Sequence, residues 1–361
     1  MPTRLSAFRN KLEEESIDAA LLVKPHNVFY FAGYSSVCSG VVIFPDAEPI
    51  FCTLWMDAPE AKTLCWLPRM ATYRFPADSL MGRMIKLVSK KKPSPSRIGI
   101  EKDFMLVRDY QRLLTAFPKA ELMHVSPIVD RLRAIKSEQE LENIRKSAWI
   151  ADQAMAAALN AVAPGITEID VAAEAEYAMR RLGSERTAFG TFVASGPRTL
   201  LAHPHATRRI INPGEPVVID LGATWEGYAS DICRTTFAGE PSRAQRRHLQ
   251  IVVEAQRAAA AELRDGVPAG NVFDAVYKVF KTYKMANLLP DDIGYGLGLR
   301  QSEFFPIIER NSETVLRQNM VVALLQTTVS KRNIGGLRVE DTFHVTKNGF
   351  EKLTAQVQPF L

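Results

Sequence analysis

The chain has 361 residues, which is enough to bury the cores of two domains. Its net charge of +5 is small, and Lys and Arg alternate with Asp and Glu along most of the sequence, which argues against a nucleic-acid-binding protein. The four cysteines form no Cys-x-x-Cys pair, the first residues carry charges where a signal peptide is apolar, and no apolar run reaches the roughly 20 residues that span a bilayer. We therefore expect a soluble, cytoplasmic protein that binds neither nucleic acid nor a membrane.

The first 130 residues mix the patterns of helix and strand. Residues 4–16 have the apolar spacing of a helix. Short apolar runs separated by turn residues predict six strands, in the segments DAALLVK, NVFYFAGY, GVVIFPD, EPIFCTL, RIGIEKD and AELMHVS. This pattern predicts an α/β domain that ends near residue 130.

A different pattern begins at residue 131. Ser137 and Glu140 form a capping box that opens a long, Ala-rich helix, and a second helix begins after Thr167 and stops before Gly183. Strand-like segments follow, and the order of two helices and then strands recurs, with helices at about 243–265 and 270–287. Residues 131–361 are therefore predicted to form two similar halves, whose sheets can face each other across a cleft.

Three acidic side chains interrupt apolar strands of this second region. Asp220 lies in VVIDLG, Asp231 follows after the turn residues EGY, and Glu340 lies in LRVEDTFHV. Carboxylates brought together repel each other unless a cation or a proton lies between them, so a metal site is one interpretation. The other is that each acid pairs with a nearby arginine, Asp231 with Arg234 and Glu340 with Arg338. The spacing alone does not favour either interpretation.

Taken in order, several segments resemble the motifs of the M24 or "pita-bread" family, which includes Xaa-Pro aminopeptidase, prolidase, methionine aminopeptidase and creatinase. These segments are VVIDLGATWEGYASDICRT, IGYGLGLRQSE, NMVVALLQ and GLRVEDTFHVTKNG, and ESIDAALLVKPHNVFYFAGY resembles the N-terminal domain of the prolidase branch. The resemblance implies an α+β protein with a creatinase/prolidase-like α/β domain at residues 1–130 and a pseudo-twofold pita-bread domain at residues 131–361. Because relatives with this N-terminal domain often pair, it also implies a homodimer.

The resemblance carries a specific expectation about metal ions. In the family's metallopeptidases two Asp, one His and two Glu hold two divalent ions, and here Asp220, Asp231 and Glu340 match both aspartates and the bridging glutamate. The family's histidine, in a Gly-His-Gly motif, corresponds to Tyr295, and the other glutamate corresponds to Leu325. A neutral phenol is a poor ligand for hard cations. We therefore expect no cofactor or one weakly bound divalent cation (Mn²⁺, Mg²⁺ or Ca²⁺), and no dinuclear centre.

The resemblance also indicates which side chains meet the substrate. His205, in LAHPHATRR, matches a family histidine that contacts substrate and shuttles protons, and a further family histidine corresponds to Ser302. We expect His205, Tyr295 and Glu340 to be catalytic, and His205, Ser302 and Arg338 to bind a small molecule or short peptide. Creatinase works without a metal but uses a glutamate where this chain has a cysteine, so creatine is not expected as the substrate.

Three hypotheses for function follow from these residues. Peptide hydrolysis in the family depends on two ions that lower the pKa of water, so the leading hypothesis is a hydrolase or lyase of a small amide-like or amino-acid-derived substrate, with one weak metal or none. The first alternative is an inactive pseudopeptidase that binds a ligand in the cleft. The second alternative is an active Xaa-Pro peptidase with unusual metal ligation.

Overall fold

The computed structural model describes residues 2–324, 329–356 and 358–360. The chain forms two compact units, residues 1–133 and 134–361, so the division falls three residues beyond the predicted boundary at residue 130. None of the described helices combines the length and the apolar character that crossing a membrane requires.

The first unit contains six helices and one six-stranded sheet. The helices are α1 (Pro2–Glu14), α2 (Pro25–Ala32), α3 (Ala58–Leu64), α4 (Leu80–Val88), α5 (Val107–Ala116) and α6 (Ser126–Ala134), and the strands are β1 (Ala19–Leu22), β2 (Gly40–Ile43), β3 (Ile50–Leu54), β4 (Arg69–Tyr73), β5 (Arg97–Ile100) and β6 (Glu121–His124). The sheet has the order β4-β3-β2-β1-β5-β6 and mixes parallel and antiparallel pairs. The α/β character predicted for this unit is confirmed.

One predicted strand of this unit, NVFYFAGY, is wrong, because the segment forms helix α2. Pro25 occupies the first helical turn, where a missing N–H is tolerated, and Gly33 ends the helix with a left-handed φ of 72°. The buried carboxylate of Glu101 accepts the backbone N–H groups of Val23 and Lys24 at 2.5 and 2.7 Å, next to the start of the helix. A short segment buried on several sides has no clear period, so its pattern alone cannot separate helix from strand.

The described residues of the second unit form four long helices, which lie close to the predicted positions. They are α7 (Glu138–Ala161), α8 (Glu168–Arg181), α9 (Arg243–Ala261) and α10 (Ala269–Thr282). Capping boxes open α7, α8 and α9, at Ser137, Thr167 and Ser242. Each box satisfies backbone N–H groups that the first helical turn leaves without partners.

The strands of the second unit form two main sheets. Their bounds are β7 (Phe192–Ser195), β8 (Pro216–Leu221), β9 (Thr224–Trp225), β10 (Tyr228–Ala229), β11 (Ile232–Phe237), β12 (Asp292–Gly296), β13 (Ile307–Glu309), β14 (Val321–Leu324), β15 (Val329–Lys331), β16 (Gly335–Leu337), β17 (Asp341–Val345) and β18 (Phe350–Lys352). The sheet β11-β8-β7 packs against α7 and α8, and the sheet β13-β12-β14-β17-β18 packs against α9 and α10. The predicted repeat of two helices followed by strands is confirmed.

The two sheets meet where Cys233 pairs with Glu340. Cys233 and Glu340 exchange two backbone hydrogen bonds, at 3.3 and 3.0 Å. The row of side chains that crosses β7, β8 and β11 therefore continues into the second sheet at Glu340, and this junction positions the candidate site.

The glycines on either side of Tyr295 are required by the packing of β12. A Cβ atom on Gly294 would lie 2.3 Å from the carbonyl oxygen of Ala323, and one on Gly296 would lie 2.5 Å from that of Phe305. Either side chain would push neighbouring backbone away from β12. Because side chains alternate along a strand, Tyr295 points to the opposite face from these two positions.

Candidate active site

Three buried acids converge where the two sheets meet. Asp220 lies on β8, Asp231 immediately precedes β11, and Glu340 immediately precedes β17. One carboxylate oxygen from each lies within 4.8 Å of the others. The relative exposures are 6%, 0% and 0%, so water contributes almost nothing to their solvation.

The strand register explains this convergence. Asp220 is paired with Cys233 across the antiparallel β8–β11 ladder, and Cys233 is paired on its other side with Glu340. Directly paired residues share a face of the sheet, so Asp220 and Glu340 lie on the same face. Asp231 lies two residues before Cys233 and so also belongs to this face.

A tight hairpin and a threonine hold Asp231 in this position. Strands β9 and β10 are joined by Glu226 and Gly227, which have φ values of 48° and 77°, as a two-residue hairpin turn requires. Thr342 Oγ1 donates a hydrogen bond to the carbonyl oxygen of Asp231 at 2.7 Å and accepts one from its backbone N–H at 3.3 Å. These contacts tie the start of β11 to β17.

The interpretation that each acid pairs with a nearby arginine is wrong. Arg234 forms its ion pair with Asp341 at 2.6 Å, and both side chains are 1% exposed. Arg338 donates its guanidinium hydrogens to the carbonyl oxygens of Leu201 and Ala202, the latter at 2.7 Å. Within the described residues, neither arginine forms an ion pair with the clustered acids.

Each clustered acid keeps one buried oxygen without a hydrogen-bond partner in the part of the chain that the structure describes. These atoms are Asp220 Oδ1, Asp231 Oδ1 and Glu340 Oε2. Buried polar atoms are nearly always satisfied in native proteins, so three unsatisfied oxygens in one place require an explanation. A set of carboxylate oxygens is the ligand set that hard cations such as Mg²⁺, Mn²⁺ and Ca²⁺ prefer, so these residues fit one such ion.

The electrostatics of the cluster lead to the same conclusion. Burial raises the pKa of Asp220 to about 7, although the charge of Arg338 opposes the shift. Burial and then the charge of the neighbouring acids raise the pKa values of Asp231 and Glu340 well above their ordinary range. The cluster therefore holds protons at neutral pH unless a cation replaces them.

Tyr295 and Gln301 form hydrogen bonds with the second carboxylate oxygens of Asp231 and Glu340. The Tyr295 hydroxyl lies 2.9 Å from Asp231 Oδ2 and 3.2 Å from Glu340 Oε1, so its single proton can serve either oxygen. The Gln301 amide donates to Asp231 Oδ2 and to the Tyr295 oxygen, both at 2.5 Å. Burial, followed by the charge of Asp231, raises the pKa of Tyr295 well above 10, so the phenol keeps its proton.

Gln301 was not predicted from the sequence. It lies six residues after Tyr295 and immediately before Ser302, within the segment IGYGLGLRQSE that resembles the family motif. The only signal was that an uncharged polar residue adjoins a predicted substrate contact.

A cleft of about 640 Å³ opens against the cluster. Of the predicted site residues, it brings together Asp220, Tyr295, Ser302 and Arg338, and Gln301 joins them. The remaining wall is largely apolar, with an exposed acid at Asp292, and consists of Phe189, Phe192, Leu200, Ala202, Leu288 and Pro290. This combination of apolar walls with a few polar groups is typical of small-molecule sites.

His203 lines this cleft, and His205 is paired with Phe192, which is paired on its other side with Asp220, so His205 lies on the same face as the acids. The His205 ring packs edge-on against Phe192, with ring centroids 5.1 Å apart. The Arg338 guanidinium donates hydrogen bonds to the carbonyl oxygens of Leu201 and Ala202, the two residues before His203. These bonds fix the backbone from which the His203 side chain extends. The structure therefore brings two histidines, His203 and His205, to the site, and the role predicted for His205 stays a prediction.

Two further positions complete the comparison with the sequence. Leu325, where the resemblance places a family glutamate, lies outside the described residues. Cys233 is fully buried beside the cluster, and burial followed by the charge of Asp220 raises the pKa of its thiol well above the ordinary value. It stays a thiol, as expected for a small buried residue rather than a nucleophile.

Two family models match the chain, one for each unit. Metallopeptidase family M24 matches residues 142–347, and the creatinase/prolidase N-terminal domain matches residues 4–135. The chain belongs to metallopeptidase family M24. The predicted family and fold are thereby confirmed.

The relatives place the chain in the prolidase branch. The Xaa-Pro dipeptidase of Pyrococcus furiosus is 33% identical over 356 residues, which are 98% of each chain, and that of Pyrococcus horikoshii is 32% identical over 345 residues, covering 95% of this chain and 94% of the relative. Among solved structures, the prolidase from P. horikoshii OT3 has a TM-score of 0.92 at 30% identity, covering 99% of this chain and all of its own. The Xaa-Pro dipeptidase from Bacillus anthracis has a TM-score of 0.90 at 28% identity, covering 99% and 98%.

Proposed function

We propose that this protein hydrolyses the amide bond of dipeptide-sized substrates, with Xaa-Pro dipeptides as the expected class, and that a single divalent cation occupies its acid cluster. The observation that carries the proposal is the unpartnered, buried oxygen on each of Asp220, Asp231 and Glu340. The similarity to Xaa-Pro dipeptidases over the whole chain supports the substrate class. This proposal favours the peptidase alternative over the leading hypothesis from the sequence.

The residues of the site have separate roles in the proposed reaction. Asp220, Asp231 and Glu340 would hold the cation, which when bound polarises a carbonyl group and lowers the pKa of water. His203 lines the cleft and His205 lies on the face of the acids, so either imidazole can serve as the general acid–base group of the reaction. Arg338 positions the backbone before His203 through its two carbonyl contacts.

The cleft suits a small zwitterion with an apolar side chain. Phe189, Phe192 and Leu200 form an apolar wall on which a proline ring can pack and which excludes water. Asp292 offers a negative charge to a free amino group. Arg338 offers a positive charge, and its Nε atom has no hydrogen-bond partner within the described residues.

Tyr295 and Gln301 support one cation rather than two. Their hydrogen bonds occupy Asp231 Oδ2 and Glu340 Oε1, which are the second oxygens of two of the acids. An additional ion next to these oxygens would have to displace a phenol and an amide that are already satisfied. We propose that these two neutral donors replace a second ion in lowering the repulsion between the carboxylates.

The same observation favours a second candidate function, a metal-independent hydrolase or lyase of an amide-like, amino-acid-derived substrate. With protons on the acids, and with Tyr295 and Gln301 bonded to them, the cluster could be neutral without any ion. In that case His203 or His205 would exchange protons with a substrate, and Tyr295, which keeps its proton, would act as a hydrogen-bond donor.

One experiment separates these functions. Protein dialysed against a chelator is assayed with Ala-Pro before and after Mn²⁺ is added, with Ala-Ala as the matched substrate. The proposal predicts Ala-Pro turnover only after Mn²⁺ is added. Absence of turnover at saturating Mn²⁺ would contradict the Xaa-Pro assignment, and equal turnover in the chelator would favour the metal-independent function.

We also propose that the protein is a homodimer. Large apolar side chains are exposed on the first unit, including Val37, Met56 and Phe75, which are 99%, 65% and 74% exposed. Aromatic residues and methionine are enriched at protein interfaces relative to the rest of the surface, so Met56 and Phe75 support the proposal. Light scattering on a sizing column should give twice the chain mass of 40.2 kDa, and a value equal to the chain mass would contradict the proposal.

A further inference from the structure

A second cavity lies in the same unit, on the other side of the strand that carries Glu340. Its volume is about 400 Å³, and Val339, Asp341 and Phe343 line it. Arg338 lines the active-site cleft instead, and Glu340 belongs to the acid cluster. This alternation is the two-residue period of a strand, so the two cavities lie on opposite faces of one sheet.

The walls of this second cavity are amphipathic. Arg257 and Lys352 provide exposed positive charges, and Arg234 and Asp341 provide a buried ion pair. The apolar part comes from helix α9 and from the strands β17 and β18, and comprises Val253, Ala260, Ala261, Phe343 and Phe350.

The charges in the cavity do not balance. Arg234 and Asp341 compensate each other at 2.6 Å, and Lys352 lies 2.9 Å from the second oxygen of Asp341 while its side chain stays 40% exposed. Arg257 is exposed and forms no hydrogen bond or ion pair with any described residue. Three cationic lining side chains thus face the carboxylate of Asp341, and Asp152, which interacts electrostatically with Arg234 from behind the lining, is the nearby second acid, so a net positive charge remains at Arg257.

We propose that this second cavity binds a small monocarboxylate with an apolar body. Its volume falls within the range of ligand sites, roughly 300–1,000 Å³. The carboxylate would bind between Arg257 and Lys352 by charge-assisted hydrogen bonds, and the apolar body would pack on Phe343, Phe350 and Ala260. The proposal does not depend on the peptidase function, because the site lies outside the cleft.

Titration calorimetry with 3-phenylpropionate tests this site, and 3-phenylpropionamide serves as the uncharged probe of the same shape. Arg257→Gln removes the unpaired charge, and Ala261→Phe fills the mouth of the cavity. Both positions are exposed, so neither change should unfold the protein. Arg243→Gln, on the same helix but outside the cavity, is the matched control, and Gln301→Ala reports binding in the active-site cleft.

The site predicts one 3-phenylpropionate per chain, about tenfold weaker binding in Arg257→Gln and in Ala261→Phe, and unchanged binding in Arg243→Gln and in Gln301→Ala. The amide probe should bind at least about tenfold more weakly than the acid, since it carries no charge. Equal affinities in Arg257→Gln and Arg243→Gln would overturn the proposal. So would loss of binding in Gln301→Ala, or no binding at millimolar concentration.

Discussion

Glu340 and Asp341 are adjacent in sequence but lie in opposite electrostatic environments. Asp341 is buried against Arg234 at 2.6 Å and receives the hydroxyl hydrogen of Thr354 at 2.7 Å. Glu340 is equally buried, but it faces two further acids and keeps one oxygen without a partner in the described part of the chain. A compensated buried charge is explained by folding alone, whereas an uncompensated group of charges points to function.

Removing Arg234, whose charge neutralises the buried carboxylate of Asp341, should have the largest effect on stability. Arg234→Met leaves a buried carboxylate without its arginine, and we expect the free energy of unfolding to fall by about 3–5 kcal/mol in urea titrations. Arg243→Met, at an exposed position, is the matched control and should stay within about 0.5 kcal/mol of the parent. A loss below about 1 kcal/mol in Arg234→Met would show that the pair does not compensate Asp341.

Catalysis should depend on residues on the face of the strand that carries Glu340, where the acid charges are not neutralised. His203→Ala is expected to reduce turnover of Ala-Pro by about 10²–10⁴-fold, because it removes the histidine in the cleft. His205→Ala tests the second histidine of this segment, and a smaller loss is expected because His203 lines the cleft. The reverse order of the two effects would make His205 the catalytic histidine, as the sequence predicts.

The same contrast predicts how pH affects stability. The pKa of Asp220 is raised to about 7 in the folded protein, against 3.8 when exposed, so its contribution to stability is fully present below about pH 4 and is lost as pH rises through 7. In chelator, the melting temperature should therefore fall between pH 6 and pH 8. Mn²⁺ should raise the melting temperature more at pH 8, where fewer protons compete for the acids. Equal gains at both pH values would contradict this competition.

Tyr295 should contribute least to stability. Tyr295→Phe removes one hydroxyl that is hydrogen-bonded to the acids, and we expect a loss of about 1–2 kcal/mol in chelator by urea titration. Tyr228→Phe is a comparison variant, since its hydroxyl donates to Glu140, away from the cluster. If Tyr295→Phe is instead stabilising in chelator, the phenol does not relieve the repulsion between the acids.

Local patterns predicted most of the fold. The capping box at Ser137, the helix start at Thr167 and apolar periods identified the helices of the second unit, because these signals depend on neighbours in sequence. The strand predicted for the segment that forms α2 was wrong, because a short buried run has no diagnostic period.

The candidate site could be predicted only in part. The three acids were visible because charges interrupt apolar strands. The position of the histidine segment depends on hydrogen bonds from Arg338, more than 130 residues away in sequence, and on pairing of His205 with Phe192, which no local pattern reports. The partner of Arg234 likewise depends on strand pairing, which brings Asp341 rather than Asp231 to its guanidinium group.

The number of bound cations tests the central claim most directly. A crystal of the full chain grown with Mn²⁺ and measured at the manganese absorption edge would locate every ion by anomalous scattering. We predict one Mn²⁺ per chain, among Asp220, Asp231 and Glu340, with Tyr295 and Gln301 still hydrogen-bonded to Asp231. Two ions in the cluster, or none at saturating Mn²⁺, would contradict this account.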